Sequence, residues 1–203
     1  ADGEEQIFTT GAMHTTSANL LKLTDATYNT VTKADASFVD GPMQKKIAPS
    51  DFFEFPVGNG GRSGWVSVRN VGGASDEMWE AQYHNYNASD DGYDATVFSD
   101  PLEYVYKDGY WRVESTGGST AQVEIRWDET TNVPAGATDR QDLRIALWES
   151  TATWNGIGAS ITDNGQNDGR IATTTAHSFN EFADGSYFAV ASEQAPVDYT
   201  WEG

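Results

Sequence analysis

The sequence predicts an all-β protein, an antiparallel β-sandwich built as one large or two packed jelly-roll or immunoglobulin-like units. Three observations predict it: period-two alternation across residues 110–154, turn-forming punctuation between the alternating runs, and a heavy load of aromatic residues. In residues 121–128, Ala121, Val123, Ile125 and Trp127 alternate with Gln122, Glu124, Arg126 and Asp128, as in a strand with one face in a core. Leu143, Ile145 and Leu147 do the same against Asp142, Arg144 and Ala146, and Trp111 and Val113 against Arg112 and Glu114. Between these runs stand Thr116-Gly117-Gly118-Ser119 and Asn132-Val133-Pro134-Ala135-Gly136, both made of turn residues. The chain holds 7 Trp, 9 Tyr and 9 Phe. Each large aromatic buries about 150–250 Å², so aromatics are expected to dominate the packing.

The remaining elements follow in order. Residues 1–6 are acidic, and Ile7-Phe8-Thr9-Thr10 forms a short strand candidate ending at Gly11. Residues 20–24 and 28–32 are further short candidates in a Thr-rich region, a composition that favours strands over helices. Ser37-Phe38-Val39 runs into the turn signal Asp40-Gly41-Pro42. Residues 51–56 and 65–71 read as strands around a flexible Val57-Gly58-Asn59-Gly60-Gly61 connection, and residues 78–86 alternate so that either face suits burial. Residues 87–92 form an acidic loop, residues 102–106, 171–175 and 187–192 further strands, and residues 161–169 a loop rich in Gly, Asn and Asp. In residues 196–203, Val197, Tyr199 and Trp201 alternate. No segment reads as a helix longer than a turn. A composition change at Lys107-Asp108-Gly109 divides an N-terminal β region, 1–108, from a C-terminal sandwich, 109–203, unless the two form one continuous domain.

Charge limits the partners. With 12 Lys and Arg against 31 Asp and Glu, the net charge is −19, which repels nucleic-acid phosphates and anionic membranes. No nucleic acid and no membrane insertion are expected, and no stretch approaches the ~18 apolar residues of a membrane-spanning helix. There is no Cys, so disulfides and thiol chemistry are excluded. A chain beginning at Ala1 without Met suits signal-peptide removal, and an extracellular or cell-surface location is expected.

Catalytic signatures are absent. His14, His84 and His177 share no metal-ligand spacing. Gly61-Arg62-Ser63-Gly64 is a turn without the strand-to-helix context of a serine nucleophile. Carboxylates are too many for the sequence to single out a glycosidase pair, so no enzyme is expected. Calcium is the one cofactor considered. Asn87, Ser89, Asp91 and Asp94 space oxygens before and after Gly92, and Asp163, Asn167 and Asp168 form a similar set. Neither loop has Glu at the twelfth position, so neither is an EF-hand, and Asx-stabilised turns are the alternative. Trp148 falls on the polar face of its strand, which indicates a second packed layer or a ligand surface.

Two stretches carry a resemblance. Ser37-Phe38-Val39-Asp40-Gly41-Pro42-Met43-Gln44-Lys45 followed by Phe53-Glu54-Phe55-Pro56-Val57-Gly58 is the first. Tyr110-Trp111-Arg112-Val113, then Val123 to Trp127, then Leu143-Arg144-Ile145-Ala146-Leu147-Trp148 and Trp154 is the second. Together they resemble a progression in large secreted surface proteins of the Bacteroidota, many exported by the type IX system. The resemblance spans roughly residues 37–192. It implies an extracellular β-sandwich module for surface display or adhesion, with no catalytic residues to carry over. Residues 196–203 do not resemble the sorting domain of such cargo, so its removal or another export route is expected.

The function expected first is a non-enzymatic subunit of an extracellular assembly, a filament or pilus-like polymer. Ile7 and Phe8 at one end and Val197, Tyr199 and Trp201 at the other would add strands to a neighbouring copy's sheet edge. The alternative is a carbohydrate-binding or calcium-dependent adhesin module, in which Trp148 and the two acidic loops contact the ligand.

Overall fold

A computed structural model describes residues 6–8, 11–27, 31–33, 37–127, 140–163, 169–179, 182 and 185–195. The chain opens with the short strands β1 (Gln6–Phe8), β2 (Gly11–His14), β3 (Leu21–Leu23) and β4 (Val31–Lys33). There follow β5 (Ser37–Asp40), β6 (Met43–Ile47), β7 (Phe52–Phe55), β8 (Val57–Asn59), β9 (Arg62–Ser63), β10 (Val66–Asn70) and β11 (Glu77–His84). A 3₁₀ turn, Ala88–Asp91, leads to β12 (Tyr104–Val105), β13 (Tyr110–Ser115), β14 (Thr120–Trp127), β15 (Leu143–Glu149) and β16 (Thr153–Gly156). The last strands are β17 (Ser160–Asp163), β18 (Gly169–Ala172), β19 (His177–Ser178) and β20 (Ser186–Ser192). The all-β class read from the sequence is what the chain adopts.

Two large sheets organise these strands. One has the order β17-β18-β14-β10-β7, with β19 also on β14; the other runs β16-β15-β20-β13-β11-β6-β3, with β12 also on β20. The alternation of β14 sends Ala121, Val123, Ile125 and Trp127 inward. The register pairs Val66 with Ile125 and Val68 with Val123, and Val66 with Phe55 and Val68 with Phe53. A one-residue slip would turn all of these toward water. From the opposite sheet Met43, Trp79, Trp111, Leu143, Ile145, Leu147, Phe188 and Val190 join the same buried cluster. This is the space between the two layers of a sandwich.

A second layer covers the outer side of the eight-stranded sheet. Tyr110, Ala146, Trp148, Trp154, Tyr187, Ala189 and Ala191 form a separate buried cluster with Ala88, Ala95, Leu102 and Val105. Tyr86, Tyr93 and Phe98 close over it. The cover is tied on through the backbone: Trp154 N–H donates to Val97 O at 3.0 Å and Ser99 N–H to Trp154 O at 3.0 Å. Every residue of β20 is consequently buried, the near-continuous apolar pattern of a strand covered on both faces.

Sheet pairings β11–β13 and β10–β14 and the first core cluster all run across residue 108, the boundary that the sequence offered beside one continuous domain. Two expectations are corrected. The sheets are not purely antiparallel, because β1 with β4, β2 with β5, β3 with β6 and β5 with β8 pair in parallel. These strands are too short to show a period from which direction is legible. The connection at residues 57–61 is a hairpin: Asn59 pairs with Arg62, and Gly60 and Gly61 have φ of 59° and 88°, the two positive angles a tight hairpin turn requires. Among the described residues no helix is long and apolar enough to cross a membrane.

Candidate functional site

Among the described residues, the outer face of the six-stranded sheet carries no such cover. Strand alternation presents Phe52 and Glu54 from β7, Ser67 and Arg69 from β10, Gln122, Glu124 and Arg126 from β14, and Arg170 and Ala172 from β18. The register sets them in cross-strand rows. Arg69 stands opposite Phe52 and Gln122, Ser67 opposite Glu54 and Glu124, and Arg126 opposite Arg170. All of these but Arg126, whose guanidinium lies over the Trp65 ring, line a groove of about 390 Å³, at the small end of the roughly 300–1,000 Å³ of small-molecule sites.

Within the groove Arg170 Nη1 donates to Glu54 Oε2 at 2.7 Å and to Glu124 Oε1 at 2.8 Å. At the other end the Arg69 guanidinium lies over the Phe52 ring, 5.0 Å from its centroid. Arg69 Nη1 also donates to Ser50 O at 3.3 Å. The Phe52 ring is 47% exposed, which is unusual for a ring on a strand whose Phe53 and Phe55 are fully buried. The arrangement offers an aromatic plate beside planar donors and acceptors held by rigid strands. Such a surface suits a small polar ligand with one apolar face.

A second polar constellation sits at the rim of the aromatic cover. Asp91 Oδ2 accepts from the hydroxyls of Tyr110 and Tyr86, the latter at 2.8 Å. Because the single proton of Tyr86 is used on Asp91, the 2.9 Å contact between His84 Nδ1 and Tyr86 Oη assigns the proton to Nδ1. The His84 ring stacks on Tyr110 at 4.4 Å with an interplanar angle of 4°. Burial pushes the His84 pKa down to about 4, an effect opposed by Asp91 and reinforced by Arg112. The hydrogen bonds from Tyr110 and Tyr86 hold the Asp91 carboxyl below the usual range. Burial and the Asp91 contact push the Tyr110 hydroxyl up, so it stays protonated. All of these groups are spent on one another, which marks a structural lock on the cover.

The oxygens considered for calcium are used separately. Asn87 Oδ1 accepts from Ser89 N–H at 3.0 Å, Ser89 Oγ from Ala95 N–H at 2.9 Å, and Asp94 Oδ1 from Thr96 N–H at 2.9 Å and its hydroxyl at 2.7 Å. Those of Asn87 and Asp94 are Asx turns, and that of Ser89 ties the loop back to residue 95. Among the described residues no group of three or more His, Asp or Glu is placed to hold a metal ion. In the second loop Asp163 ends β17, and Asn167 and Asp168 lie outside the described residues.

The ligand-surface reading of Trp148 is corrected. Its side chain is 5% exposed and packs 5.3 Å from Trp154 and 5.9 Å from Tyr93, so the second packed layer is the explanation. Ile7 and Phe8 belong to β1, which pairs with β4 of the same chain. Val197, Tyr199 and Trp201 lie outside the described residues. None of the groove residues was singled out from the sequence. Its only signal was that they are outward members of alternating strands.

Comparison with protein families, curated proteins and solved structures finds no match. What defines the protein is a two-sheet β-sandwich roofed on one outer face and open, polar and grooved on the other.

Proposed function

We propose that this is a non-enzymatic, extracellular glycan-binding β-sandwich module whose ligand lies in the groove of the six-stranded sheet. The observation that carries the reading is the exposed Phe52 ring beside Arg69, Gln122, Glu54, Glu124 and Arg170. A pyranose has an apolar face that stacks on an aromatic ring and an equatorial belt of hydroxyls. Planar carboxylate, amide and guanidinium groups pair with that belt in bidentate fashion. A hydrolase is disfavoured by symmetry. Glycoside cleavage needs two carboxyl groups whose environments differ, whereas Glu54 and Glu124 accept from the same Arg170 nitrogen. The extracellular setting is supported by the resemblance noted above.

The test is an oligosaccharide array probed with the wild type and with Phe52→Ala. The reading predicts retention of at least one glycan class, reduced about tenfold or more in the variant while its thermal midpoint is unchanged. An array without hits, or hits that Phe52→Ala leaves intact, would contradict it.

A filament subunit assembled by strand addition is a second reading, favoured by β7 and β17 standing at the two edges of the six-stranded sheet. Negative-stain images would show polymers that disappear when residues 1–10 are deleted. Monodisperse particles would exclude this reading.

A further inference from the structure

We infer that residues 87–95 form a lid that acid releases from the eight-stranded sheet while the sandwich beneath stays folded, with His84 and Asp91 as its latch. This goes beyond the glycan-binding reading and does not depend on it. The reasoning begins with how the cover is fastened. From residue 97 onward the backbone ties it to the sheet: Val97 and Ser99 bond to Trp154, and Glu103 N–H donates to Ser192 O and Tyr106 N–H to Val190 O, each at 2.9 Å. Over residues 87–95 the backbone bonds stay local, Asp90 N–H on Asn87 O, Gly92 N–H on Ser89 O and Tyr93 N–H on Ala88 O. Among the described residues none of them reaches the sheet.

Side chains hold this segment down. The Tyr93 ring stacks on Tyr187 at 4.2 Å and lies 5.8 Å from Tyr110 and 5.9 Å from Trp148. Asp91 Oδ2 accepts from Tyr110 and Tyr86. The apolar contacts belong to the second buried cluster, which shares no residue with the cluster between the sheets. A lifted lid therefore uncovers an aromatic recess of Tyr110, Trp148 and Tyr187 and leaves the main core closed. Openings of this local kind cost less than global unfolding.

The latch couples the lid to acid. His84 lies flat on Tyr110 and donates Nδ1–H to Tyr86 Oη. A second proton would go to Nε2, which has no hydrogen-bond acceptor among the described residues. The charged groups facing the ring are Asp91 from the lid and Arg112 from β13. Glu80, on the same face of β11, is spent on Arg112 and Gln44. β6 pairs no farther along β11 than Ala81, and β8, which also packs on β11, has no titratable residue. Burial keeps the closed ring neutral down to about pH 4, whereas an exposed imidazole titrates near 6.5. The open state binds the proton more tightly, so opening is favoured as pH falls through that interval. Asp91, held below the usual carboxylate range by the two tyrosines, stays charged throughout and is not the trigger.

The experiment is residue-resolved amide hydrogen exchange on the full chain at about pH 7.5 and about pH 4.5, normalised to intrinsic rates. A single turn does not persist once detached, so the amides of Asp90, Gly92 and Tyr93 report the lid. Those of Val123 and Ile125 report the sandwich. The inference predicts that lid protection falls about tenfold or more at the lower pH while β14 protection is kept. In His84→Gln lid protection should be the same at both pH values. Asp91→Asn, which keeps the imidazole, should lower lid protection at both while preserving the fall. Lid protection that is level in wild type, or that falls in step with β14, overturns the lid. A fall that survives in His84→Gln overturns the trigger, and wild-type protection in Asp91→Asn overturns the part given to Asp91.

Discussion

The two outer faces of this sandwich have opposite fates. On the eight-stranded sheet, Tyr110, Ala146, Trp148, Trp154 and Tyr187 disappear beneath residues 86–105. On the six-stranded sheet, the corresponding outward positions are Glu54, Ser67, Arg69, Gln122 and Glu124 and remain open as a groove. The difference teaches where function is to be sought. A roofed face makes its sheet rigid, and rigid strands on the other side can hold Arg170, Glu54 and Glu124 in fixed register. The aromatic density of the sequence marks the covered face, while the open face carries a single exposed ring, Phe52, among the described residues.

Breaking the roof should have the largest effect. Trp154 is fully buried and bridges Phe98 of the cover to β16. Trp154→Ala should cost about 3–5 kcal/mol, read as a shift of the urea midpoint. A cost below about 1 kcal/mol would mean that the cover does not pack as described.

Acid should loosen the same face. Burial depresses the His84 pKa from the ordinary 6.5 to about 4, so the unfolded chain takes up the proton first as pH falls. Stability from this group is therefore intact above about pH 6.5 and is lost progressively down to about pH 4. The loss is on the order of 2–3 kcal/mol at full effect, discounted for the partial exposure of the ring. Asp91, whose pKa is lowered, also loses stability on acidification, below its unfolded range. His84→Gln should flatten the pH 6.5–4 limb of a denaturation series while leaving the more acidic Asp91 limb. An unchanged limb would remove His84 from the account.

The open face should tolerate change. Phe52→Ala and Arg170→Ala should each alter stability by about 1 kcal/mol or less, since exposed ion pairs contribute about 0–1 kcal/mol and Phe52 is half exposed. A large loss of stability in either variant would sharpen the contrast in the wrong direction. The face would then be structural as well.

The legibility of the two faces differed for a physical reason. The strand β14 announced itself because one side is buried and the other wet, so Gln122, Glu124 and Arg126 alternate cleanly with Val123, Ile125 and Trp127. Trp148 broke that rule in β15 because a second layer buries it, and a local reading has no access to what a segment some 50 residues away will cover. The groove was hidden by distance: Arg170 meets Glu54 across 116 residues of sequence, a meeting decided by the order β18-β14-β10-β7. The acidic loop at residues 87–94 showed its oxygens plainly. Its pattern does not distinguish ligands from turn acceptors, and in the structure Asn87, Ser89 and Asp94 each accept a local hydrogen bond.

The most direct test of the account is an amide chemical-shift titration of the ¹⁵N-labelled protein with a glycan that the array retains. The account predicts that perturbations cluster on β7, β10, β14 and β18 around Phe52, Arg69, Gln122 and Arg170, with the residue 86–105 cover unmoved. Perturbations centred on the cover, or on the loop at residues 87–94, would contradict it.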